Sequence, residues 1–267
     1  MNILVAGGAG YIGSRLVPFL AEQRYRVAVW DTEVTNANLG LDFVDARKSS
    51  ISEVLKVNRY DVVVHLVGTY NKDQDISHNI NFRLAVDSYQ DCNQNDIGCF
   101  VFMSTCGVLN PEDNSEYTRQ KRLAEAALLE ASKGSPSSLK ILRLAPVYGL
   151  APNMKYDSIV NGFIKDALSQ GSIDVWGKNE YRPIVDICTV VDEIRRATQN
   201  VENAGSIHNI ASGNLTKGEI AAEIKKCLPN IDLILRDNDK KGYKIDSIIP
   251  GRILSEGIRE VISAKIL

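Results

Sequence analysis

The chain has 267 residues, 44% hydrophobic and 24% charged, enough for one large α/β domain or a nucleotide domain with a small appendage. A formal net charge of −2 excludes broad electrostatic capture of nucleic acid or an anionic membrane, so a phosphate-bearing ligand must be gripped locally. The five cysteines form no C-x-x-C pair and the three histidines are scattered, which points away from a metal site and towards reduced thiols in a cytoplasm.

The first expected strand, 2–6, is too short to span a bilayer. It carries neither a basic leader nor a small-residue cleavage site, so a soluble, cytoplasmic protein without membrane partners is expected. Directly after it come Gly7-Gly8-Ala9-Gly10-Tyr11-Ile12-Gly13-Ser14. The spacing Gly7-x-x-Gly10-x-x-Gly13 suits a tight turn, a backbone bare enough for a pyrophosphate, and close packing of the helix that follows. The next strand, 26–30, ends in Asp31. A carboxylate there can accept hydrogen bonds from adenosine ribose hydroxyls and repels a 2′-phosphate, which favours NAD over NADP. No Arg or Lys follows until Arg47.

Further strands are expected at 41–44, 61–67, 98–103 and 139–144, with helices near 12–23, 50–57, 77–95 and 116–133. This alternation is that of an α/β doubly wound parallel sheet, a Rossmann fold. Residues 134–138 read as a helix-to-strand loop. On the helix after Tyr117 the pattern puts Leu123, Ala127 and Leu128 on one face and Arg122, Glu125 and Glu130 in water. After Gly149 the alternation loosens, leaving helices at 189–200 and 216–227 with a strand at 206–210. The expected organisation is an NAD-binding domain over 1–149, with part of the later chain returning to the sheet, and a small C-terminal substrate lobe over 150–267.

The second informative group is Tyr117-Thr118-Arg119-Gln120-Lys121. Residues four apart share a helix face, so the ammonium of Lys121 can lower the phenol pKa of Tyr117 and make it a proton acceptor. Taken alone, Y-x-x-x-K is also an ordinary solvated helix face. Upstream, however, Met103-Ser104-Thr105-Cys106-Gly107 closes an apolar strand and puts a hydroxyl at the carboxyl edge of the sheet.

Together these segments resemble the extended short-chain dehydrogenases/reductases of the nucleotide-sugar epimerase/dehydratase group, the family of UDP-galactose 4-epimerase. The resemblance rests on GGAGYIGS at 7–14, Asp45-Ala46-Arg47, His65-Leu66-Val67-Gly68, Ser104-Thr105, YTRQK at 117–121, Leu142-Arg143-Leu144-Ala145-Pro146-Val147-Tyr148-Gly149 and Arg182-Pro183-Ile184-Val185. It implies that Tyr117 is the acid/base, that Lys121 holds the nicotinamide ribose and that Thr105 polarises the reacting oxygen. It implies NAD contacts from Gly7, Gly10, Tyr11, Ile12, Gly13, Asp31, Asp45, Ala46, Leu66, Val67, Gly68, Asn81, Tyr117 and Lys121. Asp45 would meet the adenine edge and Asn81 would brace the active site. The family grips a nucleotide diphosphate with arginines, here Arg182 and, through R-x-x-D spacing to Asp239, Arg236; residues 235–241 also read as a charged surface loop. A homodimer through the helices near 77–95 and 116–133 is a further implication.

Departures from the pattern narrow the chemistry. Cys106-Gly107 replaces the Asp-Glu of the 4,6-dehydratases, and the cysteine acid of GDP-fucose synthase falls on Gly107, so Cys106 reads as a packed thiol. Pro146 and Leu109-Asn110 replace residues common in the family, and the C-terminal lobe is trimmed. The expected activity is therefore NAD-dependent epimerisation of a nucleotide-diphosphate sugar. A nucleotide-sugar 4-ketoreductase and a non-catalytic dinucleotide sensor remain as alternatives.

Overall fold

A computed structural model of the chain describes residues 1–35, 41–199, 205–238, 240–246 and 248–264. Two units divide it. The first comprises Met1–Arg143 with Val191–His208, and the second Leu144–Val190 with Asn209–Leu267. The first unit ends at Arg143, where 149 was expected, and it takes in 191–208, whose strand joins its sheet.

In the first unit the order is β1 (Asn2–Ala6), α1 (Tyr11–Glu22), β2 (Arg26–Asp31), β3 (Asp42–Asp45), α2 (Ile51–Val57), β4 (Val62–His65), α3 (Gln74–His78), α4 (Leu84–Gln94), β5 (Cys99–Thr105), α5 (Glu116–Ala131) and β6 (Ser138–Leu144). Runs such as Val62-Val63-Val64 and Phe100-Val101-Phe102 are fully buried, as β-branched and aromatic residues are when both faces of a parallel sheet are covered. With β10 (Ser206–Ile210) the strands form one seven-stranded sheet in the order β10-β6-β5-β4-β1-β2-β3. The pairs β1–β2, β1–β4, β2–β3 and β4–β5 are parallel. The chain leaves β1 to one side for β2 and later returns on the other side as β4, and outside the carboxyl ends at such a reversal ligands bind in doubly wound sheets. Helix α2 opens on a capping box, Ser50 with Glu53, which satisfies two otherwise orphaned N–H groups.

Helix α5 corrects one expectation. Leu123 is 43% exposed, whereas Glu125 is buried. Arg143 on β6 reaches Glu125 with Nη2 at 2.6 Å and Nε at 3.0 Å, and Ser104 on β5 donates to the same carboxylate. A long-range ion pair has overridden the local pattern of charge and hydropathy.

The second unit contains β7 (Val147–Tyr148), α6 (Ile159–Gln170), β8 (Ser172–Trp176), β9 (Tyr181–Asp186), β11 (Gly213–Thr216), α8 (Lys217–Cys227), β12 (Asp232–Arg236) and α9 (Leu254–Ser263); α7 (Ile187–Gln199) precedes β10 and lies largely in the first unit. Its strands make a three-stranded sheet, β11-β9-β7, and a two-stranded one, β12-β8. Ile164, Ile173, Val175, Ile184, Ile220, Ile224 and Ile258 meet in its core. Among the described residues no helix is long and apolar enough to cross a membrane, and no group of three or more His, Cys, Asp or Glu could hold a metal ion.

Candidate active site

The glycine loop leaves β1 with Gly7 at φ +84, a left-handed conformation open to glycine at no steric cost. Its N–H donates to the Trp30 carbonyl at 2.9 Å. A Cβ at Gly7 would stand 3.0 Å from the Val67 nitrogen and 3.1 Å from the Leu66 carbonyl carbon, so this loop and the loop after β4 are in contact. At Gly13 a Cβ would come within 2.6 Å of the Gly8 backbone; only glycine lets α1 start there. Gly10 differs, since its Cβ would meet nothing closer than 3.4 Å. Gly10 also caps α1 without a side-chain bond, and Tyr11 and Ile12 form the partly exposed first turn.

Asp31 closes β2. One oxygen accepts from the Ala9 N–H at 2.8 Å and the other from Thr32 N–H at 2.7 Å, so the acid is tied to the glycine loop. The Ala46 N–H donates to the Asp31 carbonyl at 2.8 Å. Beside it, Asp45 receives Arg47 through Nε at 2.9 Å and Nη2 at 3.1 Å. Those bonds hold the Asp45 carboxyl below the usual range and occupy the first basic side chain after Asp31.

Four predicted residues converge at the end of β4. A Cβ on Gly68 would lie 3.4 Å from Asn81 Oδ1, 3.7 Å from Lys121 Nζ and 3.8 Å from Tyr117 Cε2. Asn81 sits in a π-helical turn, Asn79–Arg83, a distortion frequent at functional sites. It is fully buried and grips Thr69 from both ends, accepting from its N–H and donating to its carbonyl at 2.8 Å each, with a third bond to Ser77 Oγ at 3.0 Å. The amide fixes the loop that follows Gly68.

Lys121 is 2% exposed. Its Nζ donates to the Met103 carbonyl at 2.8 Å and sits 4.5 Å from the Phe102 ring centroid and 5.8 Å from that of Tyr117. Burial pulls its pKa down to about 7, against the opposing charge of Glu125. Tyr117 stacks on Tyr70 with centroids 4.2 Å apart, and burial, then Tyr70, raises its phenol well above the ordinary value. The direction is opposite to the expected lowering by Lys121: desolvation and the neighbouring phenol of Tyr70 set it. Behind them lies His65, fully buried between Phe100 and Phe102. Burial, then the charge of Lys121, holds it neutral with a pKa of about 3.

Thr105 ends β5 and is partly exposed, and its Oγ1 accepts from the Gly107 N–H at 3.1 Å. Ser104, one residue earlier, is buried on Glu125. Of the two adjacent hydroxyls, Thr105 is therefore the more accessible. Cys106 is a packed thiol that donates to the Arg143 carbonyl at 3.1 Å. The loop after it is held by Arg122, a residue expected in water: it donates to the carbonyls of Val108, Asp113 and Asn110 at 3.1, 3.0 and 2.7 Å.

Arg182 and Arg236 lie in the second unit. Arg182 on β9 donates through Nη2 to Glu180 at 2.7 Å and through Nη1 to the Tyr181 carbonyl at 3.3 Å. Arg236, at the end of β12, bonds Asp174 at 2.9 Å and lies over Trp176 at 5.0 Å from the ring centroid. Asp239, its expected partner in R-x-x-D, lies outside the described residues. Trp176 is 61% exposed, an aromatic face on a strand of only five residues.

Comparison with known proteins places these features in a family. The profile of the NAD dependent epimerase/dehydratase family matches residues 3–211. A protein of Methanocaldococcus jannaschii named "Putative UDP-glucose 4-epimerase" is 27% identical over 241 residues, covering 80% of this chain and 78% of that one. UDP-glucuronic acid decarboxylase 5 of Arabidopsis thaliana is 24% identical over 269 residues, covering 89% and 78%. In fold, the chain is similar to UDP-glucuronic acid 4-epimerase from Bacillus cereus in complex with NAD, with a TM-score of 0.84, 22% identity and 97% of each chain covered. With its parallel sheet, its glycine loop and more than half its length matched, the chain belongs to the NAD dependent epimerase/dehydratase family.

Proposed function

We propose that the protein is an NAD-dependent epimerase of a nucleotide-diphosphate sugar, acting at the C4 hydroxyl. The observation that carries this reading is the convergence of Gly68, Asn81, Lys121 and Tyr117 beside a loop whose Gly7 and Gly13 a Cβ would crowd and whose Gly10 is left bare. That cradle fits a dinucleotide pyrophosphate, with the first-turn N–H groups of α1 facing its charge. Asp31, with Arg47 already taken by Asp45, suits the unphosphorylated ribose of NAD.

NAD supplies reversible hydride acceptance when bound. Around it, Tyr117 takes the proton of the sugar hydroxyl and returns it after the keto sugar has turned over. Thr105 hydrogen-bonds the reacting oxygen, and Lys121 orients the nicotinamide ribose. A protonated Lys121, whose Nζ stands 5.8 Å from the Tyr117 ring centroid, would favour the phenolate and so the base form of Tyr117. Asn81 holds the Gly68 loop in place. In the second unit Arg182 and Arg236 would take the diphosphate, since two of the five N–H donors of Arg182 are used within the protein and the others suit phosphate oxygens. The exposed face of Trp176 suits a nucleobase.

A phenol held protonated also suits a 4-ketoreductase, whose Tyr117 would only donate a proton. Denaturing the purified protein and identifying the released dinucleotide separates the two. Stoichiometric NAD is expected for an epimerase that regenerates its own cofactor. An empty site that exchanges NADH or NADPH would replace this reading with the reductase. A homodimer through α4 and α5 follows the family resemblance, with Leu123 exposed on α5; sedimentation of a monomer would reject it. Five cysteines, none of them in a disulfide, suit a reducing cytoplasm.

A further inference from the structure

Glu180 has no role in the chemistry above, yet its buried carboxylate receives three side-chain donors. Its side chain is 3% exposed. Three donors from three elements meet on it: Arg182 Nη2 of β9 at 2.7 Å, Lys217 Nζ at the first turn of α8 at 2.9 Å, and Asn238 Nδ2, after β12, at 2.6 Å. Each donor is linked to a residue expected to face the nucleotide. Arg182 is one itself. Lys217 also donates to the Trp176 carbonyl at 3.0 Å. Asn238 lies two residues beyond Arg236.

Gly177 gives an independent sign that this arrangement is built in. Its φ is +70, and a Cβ there would collide with Glu180 Oε1 and stand 2.6 Å from Asn238 Nδ2. Any other residue would push the carboxylate and the amide apart. Burial alone would raise the Glu180 pKa, but the bonds from Lys217 and Asn238 and the charges of Lys217 and Arg182 outweigh it and keep the group ionised.

We propose that Glu180 is a positioning residue for the nucleotide diphosphate: a buried carboxylate that fixes Arg182, Lys217 and Asn238, and through them the Trp176 and Arg236 segments, before the ligand arrives. The proposal rests on the reading of Arg182 as a phosphate ligand. Preorganisation of this kind raises affinity by removing the ordering that binding would otherwise require. Glu180 itself repels the phosphates, so the proposal commits to a direction. Removing its charge weakens binding, although it would make the local field more positive.

The test is a cycle of Glu180→Gln, Arg182→Ala and the double variant, with UDP as the probe in calorimetry and retained NAD as the control on the first unit. Glu180→Gln is expected to weaken UDP about tenfold, the scale of one hydrogen bond between charged groups, and NAD content is expected to stay at the native level. The double variant is expected to bind UDP more weakly than Arg182→Ala, but by clearly less than the tenfold that Glu180→Gln costs alone, a non-additivity that loss of general stability would not produce. Unchanged or tighter UDP binding in Glu180→Gln, with Arg182→Ala weakened, overturns the role of Glu180 and leaves that of Arg182 standing. Unchanged binding in Arg182→Ala overturns the underlying reading. If Glu180→Gln does not accumulate as folded protein, Asn238→Ala removes one donor and is read the same way, with about a threefold loss expected.

Discussion

Around the end of β4 the first unit holds its polar side chains by burial and by bonds to neutral partners: Lys121 to the Met103 carbonyl, Asn81 to both ends of Thr69, His65 neutral among phenylalanine rings. The second unit holds its corresponding residues by ion pairs, Arg182 with Glu180 and Arg236 with Asp174. A buried lysine or tyrosine can have its proton affinity shifted far, as chemistry requires. Guanidinium groups keep their charge whatever surrounds them and are suited to anions. Under the proposed function, one region would move a proton and the other would hold a charge still.

Tyr117→Phe gives the strongest attack on this contrast. It is expected to lower turnover by a factor on the order of 10²–10⁴, the usual contribution of a positioned acid/base, while bound NAD is retained; a variant with full turnover would remove Tyr117 from the chemistry. Asn81→Ala comes next. It leaves the partly buried N–H and carbonyl of Thr69 without their partner, at about 1 kcal/mol, and lowered NAD occupancy is expected along with the lowered unfolding midpoint. A fall in stability with native NAD occupancy would make Asn81 a packing residue only.

Acid separates the units in another way. His65 has a folded pKa of about 3, below its ordinary 6.5, so between those values the unfolded chain binds a proton that the folded one refuses. Stability attributable to neutral His65 is intact above about pH 6.5 and falls as pH drops towards 3, by at most roughly 1.4 kcal/mol per unit. His65→Phe should flatten that part of a stability profile. An equally steep profile in the variant would place the sensitivity elsewhere.

The smallest effects sharpen the comparison most cleanly, because both units contain a capping box. Ser50→Ala in α2 and Thr216→Ala in α8 should each cost about 1 kcal/mol. Only the second should also weaken UDP, since Lys217 begins the helix that Thr216 caps. Equal UDP binding in the two variants would detach α8 from the ligand.

The central sheet was legible because continuous apolar runs separated by amphipathic stretches have few other solutions, and the glycine loop because Gly7 and Gly13 occupy positions that reject a Cβ. The spacing of Tyr117 and Lys121 was legible as one helix face. What that face experiences was not. The direction of the Tyr117 pKa depends on Tyr70 and on burial, neither of which spacing reports. Glu125 reads as a solvated charge until Arg143 arrives from another strand. The same holds for Glu180, whose partner Asn238 is 58 positions away, and for Trp176, whose strand β8 is only five residues long and pairs with β12 from much later in the chain. Local periodicity records the elements; side chains joined only by the completed fold leave no local mark.

The bond between Asp31 and Ala9 has a bearing on redesign. Exchanging the acid for a small or basic residue is the obvious way to admit a phosphorylated ribose, but here the same carboxylate clasps the loop expected to receive the pyrophosphate. A single exchange would therefore loosen the floor while widening the door, and a workable change of coenzyme would need a second alteration that restrains Ala9 by other means.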